Sequence, residues 1–294
     1  MKLISYLDDA LQGIGALLTS TQFVDLTAAG FNLDMLTLIE RFEELEPQLR
    51  ALQSEARHRR TLATVKVQAP IPRPRRNIFC VGKNYRSHAM EFARSGFDAS
   101  ARGDDDIPEY PIIFSKPPSV VVASGDVIDA ALDPHQSVDY EGELAVVIGR
   151  AGRPKDTEDA LSYVFGYTVF NDVTSRALQK HHKQWLLGKG IDTFGPMGPA
   201  IVTRDELPSL ENCRIRTWVN EELRQSAKIG DLIFGVPRLI AEIGRLIQLE
   251  PGDVIATGTP VGVGIGFNPP KFLRRGDRIR IEIDGVGTLE NAVG

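Results

Sequence analysis

The chain has 294 residues, 42% of them apolar and 25% charged, which excludes a disordered, collagen-like or low-complexity polymer. Lys+Arg of 34 against Asp+Glu of 39 gives a net charge of −5, which argues against nucleic acid as the main partner, and no apolar run approaches the ~20 residues that cross a bilayer. Cys80 and Cys213 are the only cysteines, which excludes a disulfide scaffold or a Cys-based zinc site and fits a reducing compartment.

The first apolar stretch is too short for a secretory h-region and meets Asp8 and Asp9 at once, so the protein is expected in the cytoplasm. Residues 2–7, 14–18 and 22–26 are short apolar runs that predict a small antiparallel unit. Over residues 32–52, Leu33, Leu36, Leu38, Ile39, Phe42, Leu45, Leu49 and Leu52 recur near a helical period. They predict one or two amphipathic helices, interrupted at Pro47. The basic run Arg57-His58-Arg59-Arg60 reads as a solvated helix end. Pro70, Pro72 and Pro74 mark a linker, so the chain divides into a small α+β domain over 1–71 and a catalytic domain over 72–294.

Beyond the linker, strands are expected at 78–81, 112–114, 141–148, 167–170, 201–202, 214–219, 253–256 and 278–283. Helices are expected near 87–93, after Asp172 over 173–180, and over 237–246. Eight glycines fall within the 36 residues from Gly252 to Gly287, too many for a helical unit. The fold class is therefore α+β, mostly β, with a large and mostly antiparallel sheet system.

The sharpest chemical signal is Asp139-Tyr140-Glu141-Gly142-Glu143-Leu144-Ala145-Val146-Val147-Ile148-Gly149. Side chains alternate along a strand, so Glu141 and Glu143 point to one face while Leu144, Val146 and Ile148 line the other. That face is either solvated or, as the apolar continuation suggests, buried, where unpaired carboxylates are costly. A third acid, Asp172, ends the run Gly166-Tyr167-Thr168-Val169-Phe170-Asn171. It reads either as the N-cap of the following helix or as a site residue sharing a helical face with Arg176 and Gln179. Three carboxylates without Cys or clustered His describe a hard, oxygen-ligated cation: Mg²⁺, Mn²⁺ or Ca²⁺.

From about Ile78 onward the sequence resembles the fumarylacetoacetate hydrolase family. The likeness runs through Cys80-Val81-Gly82-Lys83-Asn84-Tyr85-Arg86-Ser87-His88, Phe114-Ser115-Lys116-Pro117-Pro118, the 139–149 stretch and Asn171-Asp172-Val173-Thr174-Ser175-Arg176. It continues through Gln184–Lys189, Asp192-Thr193-Phe194-Gly195-Pro196 and Pro251–Pro260. With Pro269-Pro270-Lys271-Phe272-Leu273, the Asp192 block looks most like the branch linked to oxaloacetate tautomerase activity.

The resemblance implies a mixed β-sandwich or β-roll catalytic domain that pairs as a homodimer. It implies that Glu141, Glu143 and Asp172 ligate Mg²⁺ or Mn²⁺. Lys189 and Arg176, with Lys116 a weaker candidate, then supply positive charge for an anionic substrate. Gln179 belongs to the same substrate-binding group, and Thr257 would hydrogen-bond the substrate carboxylate. His88 and Glu91 match a dyad that relatives carry on a mobile lid, and a carboxylate-paired imidazole is a standard means of activating water. A lid is expected over residues 86–103, with its His88–Glu91 segment either mobile or displaced from the metal when no ligand is bound. Gly190, Gly195 and Phe170 depart from the usual Ser, Cys and small residue, and Phe170 and Gly190 are expected to reshape the pocket.

The function expected is hydrolytic carbon–carbon cleavage of an acylpyruvate or fumarylacetoacetate-like 2-oxo acid through a metal-stabilised enolate. The alternatives are an isomerase or tautomerase, or an oxaloacetate decarboxylase, using the same site. Gly262-x-Gly264-x-Gly266 lacks the strand–helix context of a dinucleotide fingerprint, and Gly188-Lys189-Gly190 lacks the rest of a P-loop. His181-His182 reads as solvated, and Cys80 as a small buried hydrophobe.

Overall fold

The computed structural model describes residues 1–55, 57–98 and 107–294. Strands β1 (Lys2–Asp8), β2 (Leu11–Leu17), β3 (Gln22–Asp25) and β4 (Arg59–Thr61) form an antiparallel ribbon. Helices α1 (Met35–Glu40) and α2 (Phe42–Ser54) lie between β3 and β4 in the chain. The helical break falls at Arg41 and not at Pro47, which sits inside α2. Pro47 is exposed, so water can satisfy the Glu43 carbonyl that loses its partner there.

The ribbon continues into the rest of the molecule. With β5 (Ile78–Gly82), β6 (Ile112–Lys116), β7 (Gly142–Ile148), β8 (Val164–Asn171), β9 (Gly195–Thr203) and β10 (Val254–Ala256), the sheet runs in the order β4-β3-β2-β1-β9-β8-β7-β10-β5-β6. Lys2 pairs with Val202 and Leu3 with Ile201, so one sheet crosses the boundary drawn at 71/72. A second sheet contains β11 (Arg214–Val219), β12 (Glu222–Lys228), β13 (Arg278–Ile283) and β14 (Gly287–Val293), ordered β12-β11-β13-β14.

Two cores flank the large sheet, and β7 shows why. Leu144, Val146 and Ile148 join one core with Ile215, Ile281 and Leu289 of the second sheet and with Ile240 of α6 (Val236–Leu246). Ala145 and Val147 join the other, with Leu3, Val24, Leu38 and Leu49 from the N-terminal segment. A strand buried on both faces reads as a continuous apolar run, as this one does.

The fold is sheet-dominated α+β, with a sandwich of two sheets at its centre. β12 and β14 are absent from the sequence-based expectation. Charged and polar residues alternate through them, and Gln225 is the single buried position of β12. No helix of the described residues is long and apolar enough to cross a membrane.

Candidate active site

The ladder between β7 and β8 brings the three acids together. Gly142 faces Asn171, and just beyond this pair the Asp172 N–H donates to the Glu141 carbonyl at 2.9 Å. The Glu141 N–H in turn donates to Asn171 Oδ1 at 3.0 Å, which ties the two chain segments at the sheet end. Glu143, two residues along, shares the face of Glu141. Carboxylate oxygens of Glu141, Glu143 and Asp172 all lie within 4.8 Å of one another, and all three residues are buried.

Asp172 is not a helix cap. The chain stays extended through Thr174–Ser175, which pairs with Val138–Asp139, and α4 (Arg176–His182) starts with Ser175 as its N-cap. Asp172 is thereby left free for the site, while Arg176 and Gln179 of α4 are both buried.

Three buried cations answer the acids. Lys189 Nζ, at the end of α5 (Leu186–Lys189), donates to Glu141 Oε2 at 2.8 Å and to Asp172 Oδ2 at 2.7 Å. Lys116 Nζ meets Asp172 Oδ1 at 2.6 Å and the Val173 carbonyl at 2.9 Å. Arg176 donates through Nε to Asp139 Oδ2 at 2.9 Å, and its Nη1 lies 2.7 Å from Glu141 Oε1. Its Nη2 is buried and has no partner among the described residues.

The electrostatics divide the two glutamates. Burial alone would raise the Glu141 carboxyl, but Lys189, Arg176 and His88 outweigh it and hold it at about 2. Glu143 goes the other way. Burial first, then the charges of Asp172 and Glu141, pushes it well above the ordinary carboxylate range, and Lys189 and the Gly258 N–H offset only part of this. Four buried carboxylates, counting Asp139, meet three buried cations in this cluster. Ionising all four therefore leaves one charge uncompensated, and a divalent cation would reverse the sign and favour an anionic ligand. Three hard oxygen donors suit Mg²⁺ or Mn²⁺. Burial lowers the Lys116 ammonium despite Asp172, whereas Asp172 and Glu141 raise Lys189 against the same penalty.

Helix α3 (Arg86–Arg94) closes the site. His88 and Glu91 are one turn apart, with His88 Nδ1 at 3.0 Å from Glu91 Oε2. Phe92 packs with Val263 and Ile265, and its ring meets Trp185 edge-on. The expected displacement of the His88–Glu91 segment from the acids is not what the structure has. His88 is 4% exposed and lines a small, tightly closed cavity with Glu141, Arg176, Gln179 and Lys189, because apolar packing and a hydrogen bond from the Gly262 N–H to Glu91 hold the helix down. The remainder of the expected lid, residues 99–103 and the acids that follow, lies outside the described residues.

Two expected substrate-binding residues stand behind the cavity wall. Lys116 is fully buried against Asp172 and does not line the cavity. The Thr257 hydroxyl donates to the Leu144 carbonyl at 3.0 Å, and Thr259 lines the cavity in its place. Lys83 and Trp185 also line it, although the sequence blocks that contain them assign neither a role. The packing of Trp185 on Gly82, where a Cβ would lie 2.5 Å from the indole, is a tertiary contact that no local pattern reveals. Cys80 is fully buried among apolar groups, and burial first, then Asp172 and Glu143, pushes its thiol well above the ordinary range.

The family model described as fumarylacetoacetate (FAA) hydrolase C-terminal matches residues 77–294. The chain belongs to the fumarylacetoacetate hydrolase family. It is 50% identical over 234 residues to oxaloacetate tautomerase YisK of Bacillus subtilis, covering 80% of this chain and 75% of that one. Among solved structures it is similar to a fumarylacetoacetate hydrolase of Exiguobacterium antarcticum, with TM-score 0.84, 38% identity, and coverage of 100% of this chain and 99% of that one. It is also similar to maleylpyruvate hydrolase of Sphingobium sp. SYK-6 in complex with manganese(II) and pyruvate, with TM-score 0.79 and 32% identity, covering 100% and 98%.

Proposed function

We propose that the protein is a divalent-metal-dependent enzyme that catalyses keto–enol tautomerisation of oxaloacetate. The observation that carries this reading is the cavity itself. Glu141 lines it as part of the three-carboxylate cluster it shares with Glu143 and Asp172, and so does a buried arginine whose Nη2 has no partner among the described residues. The choice of oxaloacetate rests on the 50% identity to the Bacillus tautomerase. On this reading the tautomerase ranks ahead of the hydrolase expected from sequence.

Glu141, Glu143 and Asp172 would hold Mg²⁺ or Mn²⁺. Such an ion, when bound, supplies positive charge where an enolate oxygen develops. Arg176 Nη2 donates to a substrate carboxylate. Glu91 engages His88 Nδ1, leaving Nε2 to take the proton from C3 of the keto form. The released electron pair becomes the C2–C3 double bond, and the C2 oxygen takes up the proton that His88 now carries, which completes the enol and restores the neutral imidazole. Phe92 and Trp185 exclude bulk water meanwhile.

The second reading is hydrolysis of an acylpyruvate. It is favoured by the His88–Glu91 contact, since the same pair can take a proton from water attacking the distal carbonyl. Oxaloacetate tautomerisation, oxaloacetate decarboxylation and acetylpyruvate cleavage should be assayed side by side with Mg²⁺ and Mn²⁺. Metal-dependent tautomerisation as the fastest of the three is the expected outcome, and acetylpyruvate cleavage without tautomerisation would overturn it. His88→Ala should lower kcat by ~10²–10⁴ while metal affinity holds. A homodimer in the cytoplasm accompanies this reading by family likeness, and sedimentation as a monomer at micromolar concentration would count against the dimer.

A further inference from the structure

The motif Gly262-x-Gly264-x-Gly266 has no part in the reaction just described, yet its surroundings account for each glycine. Gly262 has φ +107°, and a Cβ there would collide with the Arg224 carbonyl. A Cβ on Gly264 would lie 2.5 Å from the Lys271 carbonyl and 2.6 Å from Asp139 Oδ1. One on Gly266 would collide with Glu91 Oε1, and the nearest atoms around it all belong to Glu91.

The loop thus lies closer to two carboxylates than a side chain permits, and it aims N–H groups at both. Gly262 donates to Glu91 Oε1 at 2.9 Å. Gly264 and Ile265 donate to Asp139 Oδ1 and Oδ2 at 2.6 and 3.1 Å. Each carboxylate also holds a group that lines the cavity: Glu91 Oε2 meets His88 Nδ1 at 3.0 Å, and Asp139 Oδ2 accepts from Arg176 Nε at 2.9 Å. The loop is pinned from behind, where the Tyr140 hydroxyl donates to the Gly262 carbonyl and Gln225 Nε2 to the Pro260 carbonyl, both at 2.7 Å.

We infer that loop 262–266 is a positioning element that sets two groups in one register. Through Glu91 it orients His88 on α3, and through Asp139 it fixes the guanidinium of Arg176. The inference rests on the roles proposed above for His88 and Arg176. Closure of α3 is then read by the same backbone that holds the carboxylate anchor, so the proton-transfer group and the anchor are aligned together.

The decisive comparison is a double-mutant cycle of Gly266→Ala and Glu91→Ala, followed on whichever substrate the assay panel identifies. Gly266→Ala should lower kcat at least about tenfold with KM changed by less than about threefold, because it disturbs orientation and not binding. In the Glu91→Ala background the same glycine substitution should change nothing further, since the group it displaces is gone. Asp139→Asn should instead raise KM more than it lowers kcat.

Should Gly266→Ala alone fail to fold while the double variant folds, the clash with Glu91 is demonstrated directly and the inference stands. Wild-type kcat in Gly266→Ala beside a slow Glu91→Ala would overturn the inference and leave the proposed function intact. Additive losses, or a double variant that does not fold, would overturn it as well. Wild-type turnover in Glu91→Ala would remove the proposed proton-transfer pair, and the inference with it.

Discussion

Glu143 is the residue at which the carboxylate cluster is least satisfied. Among the described residues its one hydrogen bond is from the Gly258 N–H at 2.8 Å, while Lys189 attends Glu141 and Asp172. Without a cation its ionised form is opposed by burial and by both neighbouring acids. Glu143→Gln should therefore leave the melting temperature of the metal-free protein unchanged or slightly higher. The stabilisation by Mn²⁺ should vanish, although at a hundred times its dissociation constant a ligand ordinarily adds about 2.7 kcal/mol. Thermal melts with and without Mn²⁺ check both expectations, and a metal shift that survived would remove Glu143 from the ligand set. Cys80 offers a second test at this scale. Its buried thiol should resist a maleimide in the native protein and react fully after denaturation, whereas the partly exposed Cys213 should label first. The acids were legible in the sequence because period-2 spacing and an apolar continuation are local signals. The placement of Thr257 was not, since its hydroxyl is turned by the ladder between β7 and β10, a contact between residues 113 positions apart.

Elements carry the next layer of the site, and their boundaries were read less well than their existence. The helix after Asp172 begins at Arg176 because Thr174 and Ser175 pair with Val138 and Asp139, a non-local contact that overrides the local pattern. Arg176 and Gln179 reach the site nonetheless, through the helix they begin rather than through one shared with Asp172. Helix α5 illustrates how closely the elements must approach. A Cβ at Gly188 would stand 2.6 Å from the backbone nitrogen of Gln179 on α4, so only glycine lets Lys189 reach Glu141 and Asp172. Gly188→Ala should push α5 outward and cost about 1–3 kcal/mol, the usual range for overpacking. Activity should fall at least about tenfold, because the Lys189 ammonium is held by distance-sensitive ion pairs in a buried site. Unchanged kcat with a lowered melting temperature would show that Lys189 tolerates displacement, and the role expected for it in supplying positive charge to the substrate would lapse.

At the scale of the whole molecule, the proline-marked boundary near residue 72 divides the chemistry better than it divides the packing. The three acids and the three cations paired with them lie beyond it, and so does the span matched by the family model. Yet β1 occupies the edge of β9, and Met1, Leu3, Val24, Leu38 and Leu49 share a core with Val147, Phe170 and Met197. Phe170 connects the two regions most directly. It is fully buried in that core, and its strand neighbours Asn171 and Asp172 carry the site. Composition and proline spacing report where a chain turns polar, but they carry no information on which sheet edge a distant strand will join. A fragment of residues 72–294 should therefore expose both the β9 edge and an apolar face, each buried side chain lost being worth roughly 1.5–3 kcal/mol. An uncovered edge of this kind is a template for aggregation. The fragment is expected to be insoluble or to melt far below the full chain, and supplying residues 1–71 as a separate polypeptide should restore part of its solubility. A soluble fragment with the melting temperature and Mn²⁺ affinity of the full chain would mean that the catalytic region folds independently, and that the shared core contributes little to holding Asp172 in place.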